Sequence, residues 1–201
     1  MPRILPKALF VYQQNYIKFF AFAVALTLVA CAGAEPPAPA SHMPLGASTS
    51  APMGAVLFCE QNSSECGEAR ATPREVAMTP EKWADLRAVQ TAVDRRIAPS
   101  QKADMTWHYA DGGAGNCVQY ALEKRRDLIG RGWPAGALQL ATVVTPNNNR
   151  HLVLVVATND GDWVLDNLRA DVARWDDLPY HWTARQQGAS LRDWVSIGLR
   201  G

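Results

Sequence analysis

The stretch His151-Leu152-Val153-Leu154-Val155-Val156-Ala157-Thr158-Asn159-Asp160-Gly161-Asp162-Trp163-Val164-Leu165-Asp166 decides the fold of this chain. Its first half is an almost unbroken run of β-branched and aliphatic residues, the signature of a strand buried on both faces. Asn159-Asp160-Gly161 is turn chemistry, and a second apolar run follows it, so the pair reads as a β-hairpin. One strand earlier, Leu138 to Thr145 has the same character and is set off by Pro146-Asn147-Asn148-Asn149, which extends the hairpin to an antiparallel meander.

Upstream of the sheet the period changes from two to 3.6. Thr79-Pro80-Glu81 is a helix start, with Thr79 as N-cap and Pro80 at the first helical position. Trp83, Leu86, Val89, Val93 and Ile97 then recur at spacings of three and four until Pro99 stops the run, and that stripe reads as core. A second helix runs from Cys117 through Tyr120, Ala121, Lys124, Leu128 and Ile129 to Gly130 and Gly132, preceded by the turn Asp111-Gly112-Gly113-Ala114-Gly115-Asn116. Helices packed on an antiparallel sheet define an α+β fold.

The front of the chain reads as an address. An apolar stretch from about Phe19 to Ala30, preceded by Lys18, has the layout of a signal peptide over residues 1–31. Leu28-Val29-Ala30-Cys31 resembles a lipobox, which makes Cys31 a lipid attachment site; Ala32-Gly33-Ala34 offers the alternative cut of a soluble secreted protein. Either route takes the chain out of the cytoplasm, as a periplasmic protein or an outer-membrane-anchored lipoprotein. Residues 32–55 are dense in Ala, Pro, Ser and Gly and read as a tether, so the folded domain is expected over 56–201. The formal net charge is +1, and the bases Arg3, Lys7 and Lys18 all lie in the acid-free front segment. The remainder is near neutral without a basic stripe, which excludes nucleic acid as a partner.

Four cysteines occur. Cys59 and Cys66 flank a short polar stretch in a compartment where disulfides persist, and they are expected to pair; a metal pair is the rival, without two further ligands nearby. Cys117 remains, an unpaired thiol at a helix N-terminus, where the dipole and free N–H groups favour thiolate. His42 lies in the tether, and His108 and His181 flank tryptophans in less regular segments. His151 opens the buried strand, which places a polar group at its rim and makes it the base for Cys117. Asp166, embedded in the next apolar run, needs a partner to be buried. An even-numbered loop around Asn159-Asp160-Gly161 puts His151 and Asp166 on one face of the sheet, and an odd one separates them. A zinc site from His108, Cys117 and His151 lacks any ligand pair of recognisable spacing.

Gly115 through Arg126, then Gly132-Trp133-Pro134, His151 in its valine run, Gly161 with Val164-Leu165-Asp166-Asn167-Leu168, and Trp175, Tyr180 and Arg185-Gln186 resemble the bacterial transglutaminase-like cysteine proteinases. The resemblance implies a papain-like, transglutaminase-like core with a catalytic triad of Cys117, His151 and Asp166. It further implies cleavage of a peptide or isopeptide bond in a cell-envelope protein, the family's best understood case being a surface adhesin under control of an inner-membrane receptor that senses a cyclic dinucleotide. Where the family usually has Asp-Cys-Glu-Asp, a calcium-binding run, this chain has Asn116-Cys117-Val118-Gln119. Neutral side chains lack the anionic oxygens calcium prefers, so no cofactor is expected. Two alternatives stay open: an acyltransferase of the transglutaminase type, and a catalytically idle lipoprotein that binds a protein partner through the cleft.

Overall fold

The computed structural model describes residues 41–66, 72–100, 106–110 and 113–198, all within one compact unit. The signal segment with Cys31 lies outside the described residues. In chain order the elements are strand β1 (Leu45–Thr49), helices α1 (Met53–Gln61), α2 (Ser63–Cys66) and α3 (Pro80–Arg96), short strands β2 (Ala98–Pro99) and β3 (Ala114–Gly115), and helix α4 (Cys117–Gly130). Strands β4 (Leu138–Val144), β5 (Arg150–Thr158), β6 (Gly161–Leu165), β7 (Ala173–Arg174), β8 (His181–Gln186) and β9 (Trp194–Ile197) follow.

Seven strands form one antiparallel sheet in the order β1-β9-β8-β4-β5-β6-β7. The expected meander is its β4-β5-β6 centre, and the expected α+β class holds. The apolar run of β5 is buried from His151 to Thr158 because the sheet is covered on both faces. Leu152, Leu154 and Val156 face the helices, packing with Leu86, Val89 and Val93 of α3 and with Leu122 and Leu128 of α4. Val153 and Val155 face Met43, Trp175, Leu178 and Trp182. Burial of such aliphatic side chains stabilises the fold by about 1.5–3 kcal/mol each.

Helix α3 starts as its sequence dictates: Thr79 accepts a hydrogen bond from the Lys82 amide at 3.3 Å, and Pro80 occupies the first turn. The expected domain boundary at residue 56 needs correction. Residues 45–49, placed in the tether by composition, form β1 at the edge of the sheet against β9, and Met43 is buried. All five side chains of β1 are exposed, so the strand is held by backbone pairing rather than by apolar side chains, and small residues suffice. The segment around His181, read as irregular, is likewise a strand, β8.

Cys59 and Cys66 are joined in a disulfide that ties α1 to α2. A loop this short constrains the unfolded chain modestly, so the Cys59→Ala/Cys66→Ala double variant should lose about 2 kcal/mol in urea denaturation. A loss below about 0.5 kcal/mol would contradict an entropic clamp.

Candidate active site

Cys117 is the first residue of α4, and the local sequence builds that start. The side chain of Asn116 accepts from the Val118 amide at 3.0 Å, and Gln119 Oε1 accepts from the Asn116 amide at 2.9 Å, a complete capping box. Gly115 is required here, since a Cβ at that position would lie 2.5 Å from Cβ of Gln119. The approach to the helix is fixed by parallel pairing of β3 with β2, in which the Ser100 amide donates to the Gly115 carbonyl at 2.7 Å.

His151 and Asp166 come from the central hairpin. Thr158 pairs with Gly161 across the two-residue turn Asn159-Asp160, so the loop is even and both side chains belong to one face, with Asp166 just past the end of β6. His151 Nε2 donates to Asp166 Oδ1 at 2.7 Å, both residues being buried. An ionised carboxylate can only accept, so Nε2 carries a proton. The Cys117 side chain is half-buried and close enough to the imidazole for each group to shift the other's titration. Thiol, imidazole and carboxylate are thus brought together at the start of α4 and the end of the central hairpin.

Asp166 has two further partners. The Leu168 amide donates to Oδ1 at 2.9 Å and the Tyr180 hydroxyl donates to Oδ2 at 2.5 Å. The Tyr180 ring also stands edge-on to His151, with centroids 6.1 Å apart. Tyr180 makes this contact from the segment after β7, and no periodic signal in the sequence connects it to Asp166.

Electrostatics follow the same line. Burial pushes the Cys117 thiol up, but its bond to His151, the imidazolium charge and the amides of Leu152 and Val118 outweigh it, leaving the thiol below its ordinary value. Burial pulls His151 down, while the bonds to Asp166 and Cys117 raise it to about 9. Burial pushes Asp166 up, and the His151 bond and charge with the Leu168 and Tyr180 donors hold it below the carboxylate range. Both shifts of the Cys117–His151 pair favour thiolate and imidazolium.

The other histidines stand elsewhere. His42 approaches Asp162 at 3.9 Å, His181 is exposed on β8, and His108 Nδ1 contacts the Tyr109 carbonyl at 2.7 Å with Gln119 Nε2 3.3 Å from its Nε2. His108 thus packs against Gln119, the side chain that closes the helix cap.

A thiol at a helix start facing an imidazole and a carboxylate on a sheet is the arrangement used by cysteine peptidases. The chain belongs to the bacterial transglutaminase-like cysteine proteinase family, BTLCP, whose model matches residues 45–200. No curated protein is significantly similar in sequence. Among solved structures it is similar to calcium-bound LapG of Legionella pneumophila, with 16% identity, a TM-score of 0.52, and coverage of 73% of this chain and 91% of that one. Two more LapG structures from that organism match: one at 18% identity and TM-score 0.46 over 54% of this chain and 65% of that one, and an EGTA-treated form at 17% and 0.47 over 68% and 83%. These likenesses bear on fold.

They also correct the expectation of no cofactor. The LapG structure at TM-score 0.52 is calcium-bound, and against it the expectation that no cofactor takes part does not stand. The expectation leaned on one four-residue run, whereas calcium takes six to eight oxygens from carboxylates, amides and backbone carbonyls of several segments. Beside Cys117 the Asn116 and Gln119 side-chain oxygens are engaged in the helix cap. No group of three or more His, Cys, Asp or Glu side chains suited to a metal exists among the described residues.

Since the Asp166 bond is the largest force raising His151, Asp166→Asn should drop the titration midpoint of His151 from about 9 to its ordinary value or lower, followed by NMR of labelled histidine. A midpoint that stays near 9 would show that the carboxylate does not set it.

Proposed function

We propose that this protein is an exported cysteine peptidase in which Cys117 is the nucleophile, His151 the general base and acid, and Asp166 the group that orients the imidazole. Membership of a cysteine proteinase family supports peptide-bond chemistry and a protein substrate. The observation that carries the assignment of roles is the buried His151–Asp166 hydrogen bond at 2.7 Å, with the half-buried Cys117 thiol close enough to be drawn below its ordinary value by the imidazole.

The Cys117 thiolate attacks the carbonyl carbon of the scissile amide, forming a C–S bond and a tetrahedral oxyanion. The first amides of α4 have no intrahelical acceptor by position, and the Cys117 N–H points the positive end of the helix at that oxygen. His151, protonated and held by Asp166, gives its proton to the amine as the C–N bond breaks. Water, deprotonated by His151, then hydrolyses the thioester and returns the thiol.

The apolar segment from Phe19 to Ala30 and the lipobox-like Leu28-Val29-Ala30-Cys31 support export and acylation of Cys31, so the substrate would be a protein of the cell envelope. Among the described residues no helix is long and apolar enough to cross a membrane.

The test is a comparison of cells carrying the native chain with cells carrying Cys117→Ala. New amino termini should appear in at least one envelope protein with the native chain and vanish with the variant. Identical terminal profiles in both, with both proteins folded and exported, would refute the reading.

A further inference from the structure

Behind the candidate triad lies a buried polar cluster that the mechanism does not use. Gln90 of α3 is 1% exposed, and its Nε2 lies 2.7 Å from the Asp166 carbonyl, 2.7 Å from the Arg169 carbonyl and 2.8 Å from Asp94 Oδ2. The Arg169 amide donates to the Asp166 carbonyl at 3.3 Å, so these two carbonyls bracket the turn that carries the carboxylate. Lys124 of α4, wholly buried, donates from Nζ to Gln90 Oε1 at 2.9 Å and pairs with Asp94 Oδ1 at 2.7 Å.

Chemistry fixes the direction of this arrangement. An ammonium has donors only, so the Gln90 oxygen must face Lys124, and the amide NH2 must then face the two carbonyls. A buried ammonium costs several kcal/mol unless partnered, and an aliphatic side chain would fill the space more cheaply. Lys124 also sits seven residues after Cys117, two turns along the same side of α4. The thiol's helix is therefore tied to the carboxylate's turn by a path that bypasses His151.

We infer that Gln90, with its amide orientation set by Lys124 and Asp94, is a positioning residue that clamps the Asp166–Arg169 turn and thereby holds Asp166 against His151. The inference rests on the proposed triad. The titratable and charged groups facing this line are Asp94 from α3, Lys124 from α4, His151 from β5, and Asp166, Arg169 and Tyr180 from the turns beyond β6 and β7.

The test is the rate of iodoacetamide alkylation of Cys117, read on its own peptide by mass spectrometry, from about pH 5 to pH 9. Gln90→Met keeps the volume and removes the clamp. Leu86→Ala, one turn earlier on α3, opens a core cavity and removes no hydrogen bond to the turn. The native profile should show a midpoint below the ordinary thiol range. Gln90→Met should move it upward and slow alkylation about tenfold near neutrality. Leu86→Ala should lower stability and leave the midpoint unchanged. A native midpoint in Gln90→Met would overturn the inference while the triad stands, whereas an ordinary thiol in the native protein would overturn the triad and the clamp together. Should Gln90→Met fail to fold, Gln90→Asn, one methylene too short to reach both carbonyls, takes the same measurement with the same two outcomes.

Discussion

Asp166 is a carboxylate almost wholly removed from water, 2% exposed, and an anion in that position costs several kcal/mol unless it is partnered. Its partners come from distant parts of the chain: the His151 ring at 2.7 Å, the Tyr180 hydroxyl, and the Leu168 amide of its own turn. Much of the architecture answers to that requirement. The two-residue turn between β5 and β6 sets the register that puts residues 151 and 166 on one face. The segment after β7 delivers Tyr180, and helix α3 delivers Gln90 to the carbonyl of the same residue.

The thiol depends on this anion at one remove. Cys117 sits where a helix dipole favours thiolate, but burial works against the charge, and the imidazolium decides the balance. That imidazolium persists into the alkaline range because Asp166 holds it. Seen this way the half-buried sulfur is neither a sealed core residue nor an ordinary surface thiol.

Elements governed by side-chain periodicity were legible from residues alone. The stripe from Trp83 to Ile97 gave α3 almost to the residue, and Thr79-Pro80 gave its start. Buried strand β5 and its turn were equally plain, because Val and Leu runs beside Asn-Asp-Gly have few other uses. Strand β1 was not, since an edge strand with exposed side chains is held by backbone bonds that leave no hydrophobic trace. The roles of Tyr180, Gln90 and Lys124 escaped for a related reason: each is defined by a contact across elements, and Lys124 shows in sequence only as a member of its helix. The expectation of no cofactor rested on a single run of four residues, whereas calcium generally takes its six to eight oxygens from several segments, which one run does not reveal.

If His151 acts on Cys117, the sulfur carries charge at a pH where a free thiol does not. The ultraviolet absorbance of thiolate, taken as the difference between the native protein and Cys117→Ala across a pH titration, measures this directly. A midpoint below the ordinary value of about 8.5 is predicted, with the signal fading only as pH falls through that lowered midpoint. A midpoint at or above about 8.5 would contradict the pairing of this thiol with His151.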